Sequence, residues 1–412
     1  MAPSDTDLAR SLLSPRPIRD RAHRMLDLGI AGDLPHFVVD SGRLLRCCDY
    51  VLDTIRRNYP TLDVPFHARW RHFSAGGFDR WATLDRATTW PSSAARARAA
   101  FDLAITSVLL DAGAGPAWRY KEIVSGETFT RSEGLAIASF DVFAAGGFSA
   151  STRDRLRADA SALSATSAET LAEGFQVGPD NPLVGLEGRA ALMRRLGDTV
   201  AAKPEVFARA DVPRPGGLFD YLTARAEGGV LPAEAILTAL LEHLGPIWPG
   251  RSTLGGIDLG DTWFHPSLVT QDATTGLIPF HKLSQWLAYS LIEPLQWAGI
   301  GVSGIDALTG LAEYRNGGLF IDAGVLRHVN PREAKEPHRV DSTLVVEWRT
   351  LTVALLDDVS ALVRHRLGRT AEQFPLAKVL EGGTWAAGRR LAREKRVDGA
   401  PPITVISDGT VF

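Results

Sequence analysis

Apolar residues recur at helical spacing along most of this chain, and alternation of the kind that marks strands is scarce. Leu44, Leu45, Val51, Leu52 and Ile55 put one stripe on a helix from Leu44 to Asn58. Phe101, Ile105, Val108 and Leu109 do the same between Ser92 and Ala112, where a serine stands at the cap position. Helical patterns also run through two short pieces between Asp5 and Asp33, broken by Ser14-Pro15-Arg16-Pro17, and through Thr130 to Gly146. They continue in Ser151 to Ala172, Leu186 to Ala202, Pro232 to Leu244, Ser342 to Leu367, and a shorter pair from Leu376 to Arg396. Thr130 and Glu133 have capping-box spacing. The tail from Ile403 to Phe412 alternates around Asp408-Gly409, a hairpin signal. The expected fold is mainly α with a small C-terminal β-hairpin. Gly178-Pro179-Asp180-Asn181-Pro182 is the clearest boundary signal, giving lobes 1–180 and 181–412 unless the chain forms one continuous domain.

The stretch Phe280 to Gly324 stands apart because polar residues interrupt its apolar faces. A helix from His281 to Gln296 carries Leu283, Trp286, Leu287, Leu291 and Leu295 on its stripe, with Pro294 ending or kinking it. A shorter helix is expected from Ile305 to Arg315, stopped by Asn316-Gly317-Gly318. Asp306 and Glu313 lie seven residues apart, two helical turns, which would place them on one face. Two acids with Lys282 and Arg315 close in sequence form a candidate acid–base pair with a cationic clamp. The plainer alternative makes Asp306 a helix cap and Glu313–Arg315 a surface patch. Arg69-Trp70-Arg71-His72-Phe73 divides in the same way. It reads as a turn anchored by aromatics, or as a pocket wall with Arg71 or His72 pointing inward.

Composition narrows the classes. The chain has 412 residues, 45% apolar and 23% charged, ordinary for a globular protein. A net charge of -3 gives no basic surplus for nucleic acid. Cys47 and Cys48 are adjacent, which favours a reducing compartment. With no apolar leader at the N-terminus and no long apolar run, a cytoplasmic protein without a membrane partner is expected. Phosphate-loop, dinucleotide, H-E-x-x-H, C-x-x-C and G-x-S-x-G patterns are lacking. His265 and His281 are the one weak metal pairing, so neither metal nor cofactor is expected.

At FHKLSQWLAYSLIEPLQWAGI and GIDALTGLAEYRNGGLFIDAGVL the chain resembles the uracil-catabolism family, the fourth component of the fungal and bacterial uracil-degradation pathway. RWRHFSAGGFDRW and SEGLAIASFDVFAAGGFS resemble that family too, and the likeness covers nearly the whole chain. A more distant similarity joins it to the queuosine salvage nucleotide N-ribosylhydrolases, whose helical fold is like that of DNA glycosylases. Their F-Y-K-R-A-Q, D-I-D-x-L-T and A-D-Y-R segments correspond here to Phe280–Gln285, Gly304–Thr309 and Ala312–Arg315. Lys282, Gln285, Asp306, Tyr314 and Arg315 match in type, while Glu313 stands for an aspartate and His281 for a tyrosine.

The resemblance implies a glycosylase-like helical architecture and hydrolysis of N-ribosylurea 5-phosphate, or a related ring-opened uridylate, to urea and ribose 5-phosphate. It implies Glu313 and Asp306 as catalytic residues. Lys282, His281, Gln285, Tyr314 and Arg315 would bind substrate, with Arg71 and Glu133 as further contributors. Other uracil-catabolism enzymes are candidate partners. The competing expectations are a metal-dependent amidohydrolase of the opened ring and a non-catalytic partner that channels intermediates.

Overall fold

The structure, a computed structural model, describes residues 3–210, 212–248 and 252–406. Its helices are α1 (Asp5–Ser11), α2 (Pro15–Ala31), α3 (Leu44–Asn58), α4 (Arg69–Phe73), α5 (Arg80–Ala87) and α6 (Ser93–Leu109). There follow α7 (Arg131–Ala144), α8 (Ala160–Ser164), α9 (Ala168–Gly174), α10 (Leu186–Ala201), α11 (Pro204–Phe207) and α12 (Gly217–Thr223). The last are α13 (Ala233–Leu244), α14 (Lys282–Trp297), α15 (Tyr314–Asp322), α16 (Thr343–Leu367), α17 (Leu376–Val379) and α18 (Trp385–Lys395). The fold is mainly α, as the periodicity predicts.

Local chemistry sets many of these ends. Ser92 and Ser342 cap α6 and α16 by accepting from Ala95 N and Val345 N, and Gly368 ends α16 at φ 62°. The Thr130–Glu133 capping box does not form: the Thr130 side chain caps nothing, and Glu133 pairs instead with Arg389. Ser151 to Ala172 is not one helix but two short ones preceded by irregular chain.

Helices α6, α14 and α16 are buried on nearly all sides over most of their length, so each is enclosed rather than lying on the surface. α16 packs on α2 and α3, α14 on α6 and α13, and α15 on α18. One cluster of buried side chains extends from Ile18 to Ile403. Among the described residues no helix is long and apolar enough to cross a membrane.

Strands are confined to pairs. Tyr120–Lys121 with Thr128–Phe129, and Thr262–Phe264 with Leu277–Pro279, are antiparallel ribbons leading towards α7 and α14. The turn at Asp408-Gly409 falls outside the described residues; the strand before it, Val405–Ile406, pairs in parallel with His338–Arg339.

The central stretch departs from expectation in one respect. Ile305–Ala307 is a single 3₁₀ turn, and the next helix begins only at Tyr314 and runs through Gly317 and Gly318. Those glycines are interior because a Cβ at Gly317 would press on the Trp348 indole at 2.6 Å. They allow close packing where glycine usually ends a helix. Asp306 and Glu313 therefore share no helical face.

Candidate active site

A cavity of about 380 Å³ opens where the starts of α7, α14 and α15 converge with α4 and the start of α18. Helix α14 brings Lys282. The chain leaves the ribbon at Pro279, passes through Phe280, and turns at His281, which has φ 47°. That left-handed conformation is uncommon outside glycine and is held by tertiary contacts. His281 Nε2–H donates to Leu12 O at 3.0 Å, and its ring is buried.

The next residue is fixed by Asp261, whose Oδ2 accepts from Lys282 N at 3.0 Å. Arg349 of α16 clasps the same carboxylate with two bonds of 2.8 Å, and Trp263 Nε1 adds one of 2.6 Å. Burial alone would raise the Asp261 pKa, but these partners hold it well below the usual carboxylate range. Among the described residues nothing lies within hydrogen-bonding or ion-pairing distance of the Lys282 ammonium. Burial lowers its pKa, while Glu313 pulls the other way.

Glu313 stands at the start of α15, not at the end of a helix. Its Oε2 accepts from Arg315 N at 2.7 Å and its Oε1 from Asn316 N at 2.6 Å, so both oxygens are pinned by orphan helix donors. Burial raises its pKa against the opposing effects of those N–H groups and Lys282. The loop before it is braced from two sides. Gln285 Nε2 donates to Thr309 Oγ1 at 2.8 Å and Tyr289 OH to Thr309 O at 3.0 Å. Arg349 Nε reaches Ala312 O at 3.3 Å.

A second carboxylate enters from the end of α6. Asp111 Oδ2 meets Arg69 Nη1 at 3.1 Å and accepts from Ser132 Oγ, and its other oxygen has no partner among the described residues. Arg69 is itself fully buried, with Nε donating to Ser107 Oγ at 2.7 Å. Helix α7 starts at Arg131, another left-handed non-glycine residue, at φ 56°. The two helices whose starts carry Ser132 and Lys282 are thus entered by the same strained turn.

Trp286, Trp385 and Tyr314 supply an aromatic wall. His72 stands edge-on to Trp286, with centroids 5.5 Å apart and planes at 89°. Burial, then the Arg69 charge, pushes the His72 pKa down to about 4, so the ring is neutral near pH 7. His67 Nδ1–H donates to Glu381 Oε2 at 2.7 Å. Glu381 lies in a π-helical segment, Leu380–Thr384, that ends where Trp385 begins α18. Such bulges turn side chains out of α register; here one bulge serves both His67 and the tryptophan.

Of the residues singled out in the sequence, Glu313, Lys282, Tyr314 and His72 line this cavity, and the others do not. Asp306 is taken up structurally, its Oδ2 by Arg364 Nη1 at 2.8 Å and its Oδ1 by Leu376 N at 2.6 Å. Gln285 is buried and positions the Thr309 loop. His281 borders a separate small cavity beside Asp261. Arg71 pairs with Glu293 at 2.7 Å, Glu133 with Arg389 at 3.1 Å, and Arg315 Nη1 donates to Gly399 O at 2.8 Å. His265 Nε2 meets Glu347 at 3.1 Å, away from His281. Among the described residues no three His, Cys, Asp or Glu side chains gather as a metal site.

The sequence reading missed Asp111, which ends a helix without any motif, and His67 and Trp385, which reach the cavity only through tertiary packing. Trp286 reads as ordinary core, yet it faces the cavity with an indole N–H that has no hydrogen-bond partner among the described residues.

Comparison with known proteins gives consistent matches over this whole framework. A family model described as "Protein of unknown function (DUF1688)" matches residues 11–412. Protein urg3 of Schizosaccharomyces pombe is 37% identical over 417 residues, spanning 99% of this chain and 100% of that protein. Uracil catabolism protein 4 of Lachancea kluyveri is 36% identical over 414 residues, 92% of each chain.

Proposed function

This chain belongs to the DUF1688 family, and on that premise we propose that it is a hydrolase of uracil catabolism acting on the N-glycosidic bond of a ribosyl 5-phosphate. The relative named for uracil catabolism supports the pathway. One observation carries the chemistry: the Lys282 ammonium, without a protein partner, shares an aromatic-walled cavity with the carboxylates of Glu313 and Asp111. The substrate is N-ribosylurea 5-phosphate or a related ring-opened uridylate.

In this reading Lys282 holds the phosphate, helped by the uncapped first N–H groups of α7. The bond from C1′ to nitrogen breaks as positive charge develops on the ribose. Glu313, fixed by two backbone donors, faces that charge as an anion and orients the attacking water. Water oxygen bonds to C1′, and the proton that Glu313 takes from it passes to the departing nitrogen. The products are ribose 5-phosphate and urea, or a substituted urea. Asp111 uses its free oxygen to hold ribose hydroxyls, while Arg69 and Ser132 fix the other. Gln285 and His281 contribute by positioning rather than by contact, and Asp306 serves the stability of its own turn.

The test is release of urea and ribose 5-phosphate from N-ribosylurea 5-phosphate by purified protein in the presence of a chelator. Equal amounts of both products are expected. Inertness towards it and towards ring-opened uridylates would overturn the reading. Activity that the chelator abolishes would assign the chemistry to a metal-dependent hydrolase instead.

A further inference from the structure

A second cavity, of about 500 Å³, adjoins the first and shares Arg131 with it. Arg131, Arg315, Arg389 and Arg393 line it, against the two carboxylates of Glu133 and Asp398. Internal pairing leaves the balance cationic. Arg389 is matched by Glu133 at 3.1 Å, whereas Arg315 is buried with its Nη1 on a neutral carbonyl, Gly399 O. Neither the Arg131 nor the Arg393 side chain has a hydrogen bond or ion pair among the described residues. Asp398 Oδ1 is turned to Ala400 N at 2.9 Å. Three guanidinium groups in one concavity without a carboxylate partner among the described residues repel each other, and an anion that fits among them relieves this. The planar forks match phosphate oxygens in pairs. Arg131 is held there in a left-handed conformation that its side chain alone would not favour.

We propose that this basic cavity is a second anion site, separate from Lys282, that takes a phosphate monoester dianion. The proposal rests on the reading of Lys282 as the holder of the first phosphate, but not on the hydrolytic chemistry. The dianion has two conceivable sources, a second phosphorylated metabolite or the phosphate of the cavity substrate itself, and the geometry favours the first. Lys282 already offers the main cavity a cation of its own. Only Arg131 of the four arginines borders both cavities.

Calorimetric titration with ribose 5-phosphate, and separately with inorganic phosphate, tests this on the full chain. Wild type should bind two equivalents, Lys282→Ala one. The double variant Arg131→Gly/Arg393→Glu, which removes two exposed side chains without an ion pair among the described residues and adds one acid, should lose the second equivalent or weaken it by at least about tenfold while melting normally. The surviving equivalent in Lys282→Ala should weaken steeply with added salt. A single equivalent in wild type that both variants abolish would place one phosphate across both cavities and overturn the proposal. Unchanged affinity in the double variant would overturn it as well.

Discussion

Arg349 and Asp261 face each other through two parallel hydrogen bonds of 2.8 Å, and the same carboxylate receives the amide of Lys282. Removing one partner leaves a buried charge uncompensated, which costs roughly 3–5 kcal/mol. Asp261→Asn should accordingly lower the melting temperature sharply. The double variant Asp261→Asn/Arg349→Met should recover much of that stability. It should not recover turnover, because the start of α14 loses its anchor. Thermal melts and steady-state rates on wild type and the two variants check both halves.

Glu313→Gln keeps the size of the side chain and one cap acceptor but removes the charge. Turnover should fall on the order of a hundredfold or more, with KM nearly unchanged, because the lost interaction is strongest in the transition state. Stability should fall by about 1 kcal/mol, the worth of part of a helix cap. Single-turnover assays with saturating substrate separate the two.

The pH profile should be narrower than free side chains would give. Burial raises the Glu313 pKa, so its anion is lost at a higher pH than for an ordinary carboxylate as the solution is acidified. Burial lowers the Lys282 pKa, so its charge is lost earlier on the alkaline side. The acid limb of kcat/KM should disappear from the residual activity of Glu313→Gln, and the alkaline limb from that of Lys282→Met.

Asp306→Asn tests the opposite case. Its carboxylate ties the 3₁₀ turn to Arg364 and to the start of α17. Losing the charge should cost about 1–3 kcal/mol of stability by denaturant unfolding. Turnover at a temperature well below the melt should match wild type.

His72 should make the protein acid-sensitive in a defined window. Its folded pKa lies near 4, below the ordinary value of 6.5, because burial disfavours the imidazolium. Between these values the unfolded chain binds the proton and the folded one does not, so stability falls as pH drops from about 6.5 towards 4. His72→Phe should flatten that slope in urea unfolding curves collected across the window.

The helices were legible because their stripes are long. Leu44–Asn58 ends where its apolar spacing does, and α16 begins one residue after its serine cap. Ile305–Arg315 was misread because Gly317-Gly318 looks like a stop, whereas Gly317 admits the Trp348 indole into the side of a helix and Gly318 packs against Pro402. The expected helix placed Asp306 beside Glu313, whereas the structure sets it against Arg364 and the start of α17. Glu313, Lys282 and Tyr314 were reachable from local pattern and resemblance. Asp111, His67 and Trp385 were not, because what brings them together is a buried arginine, a π-bulge and two left-handed turns. None of these leaves a periodic trace in sequence.

The cavity wall is drawn from chain positions as distant as His67 and Trp385. Any ligand seated there works as a reversible cross-link between remote parts of the chain. At a ligand concentration about 100 times Kd, mass action adds about 2.7 kcal/mol to the stability of the whole fold. A ligand-saturated sample should therefore resist proteolysis longer than an empty one.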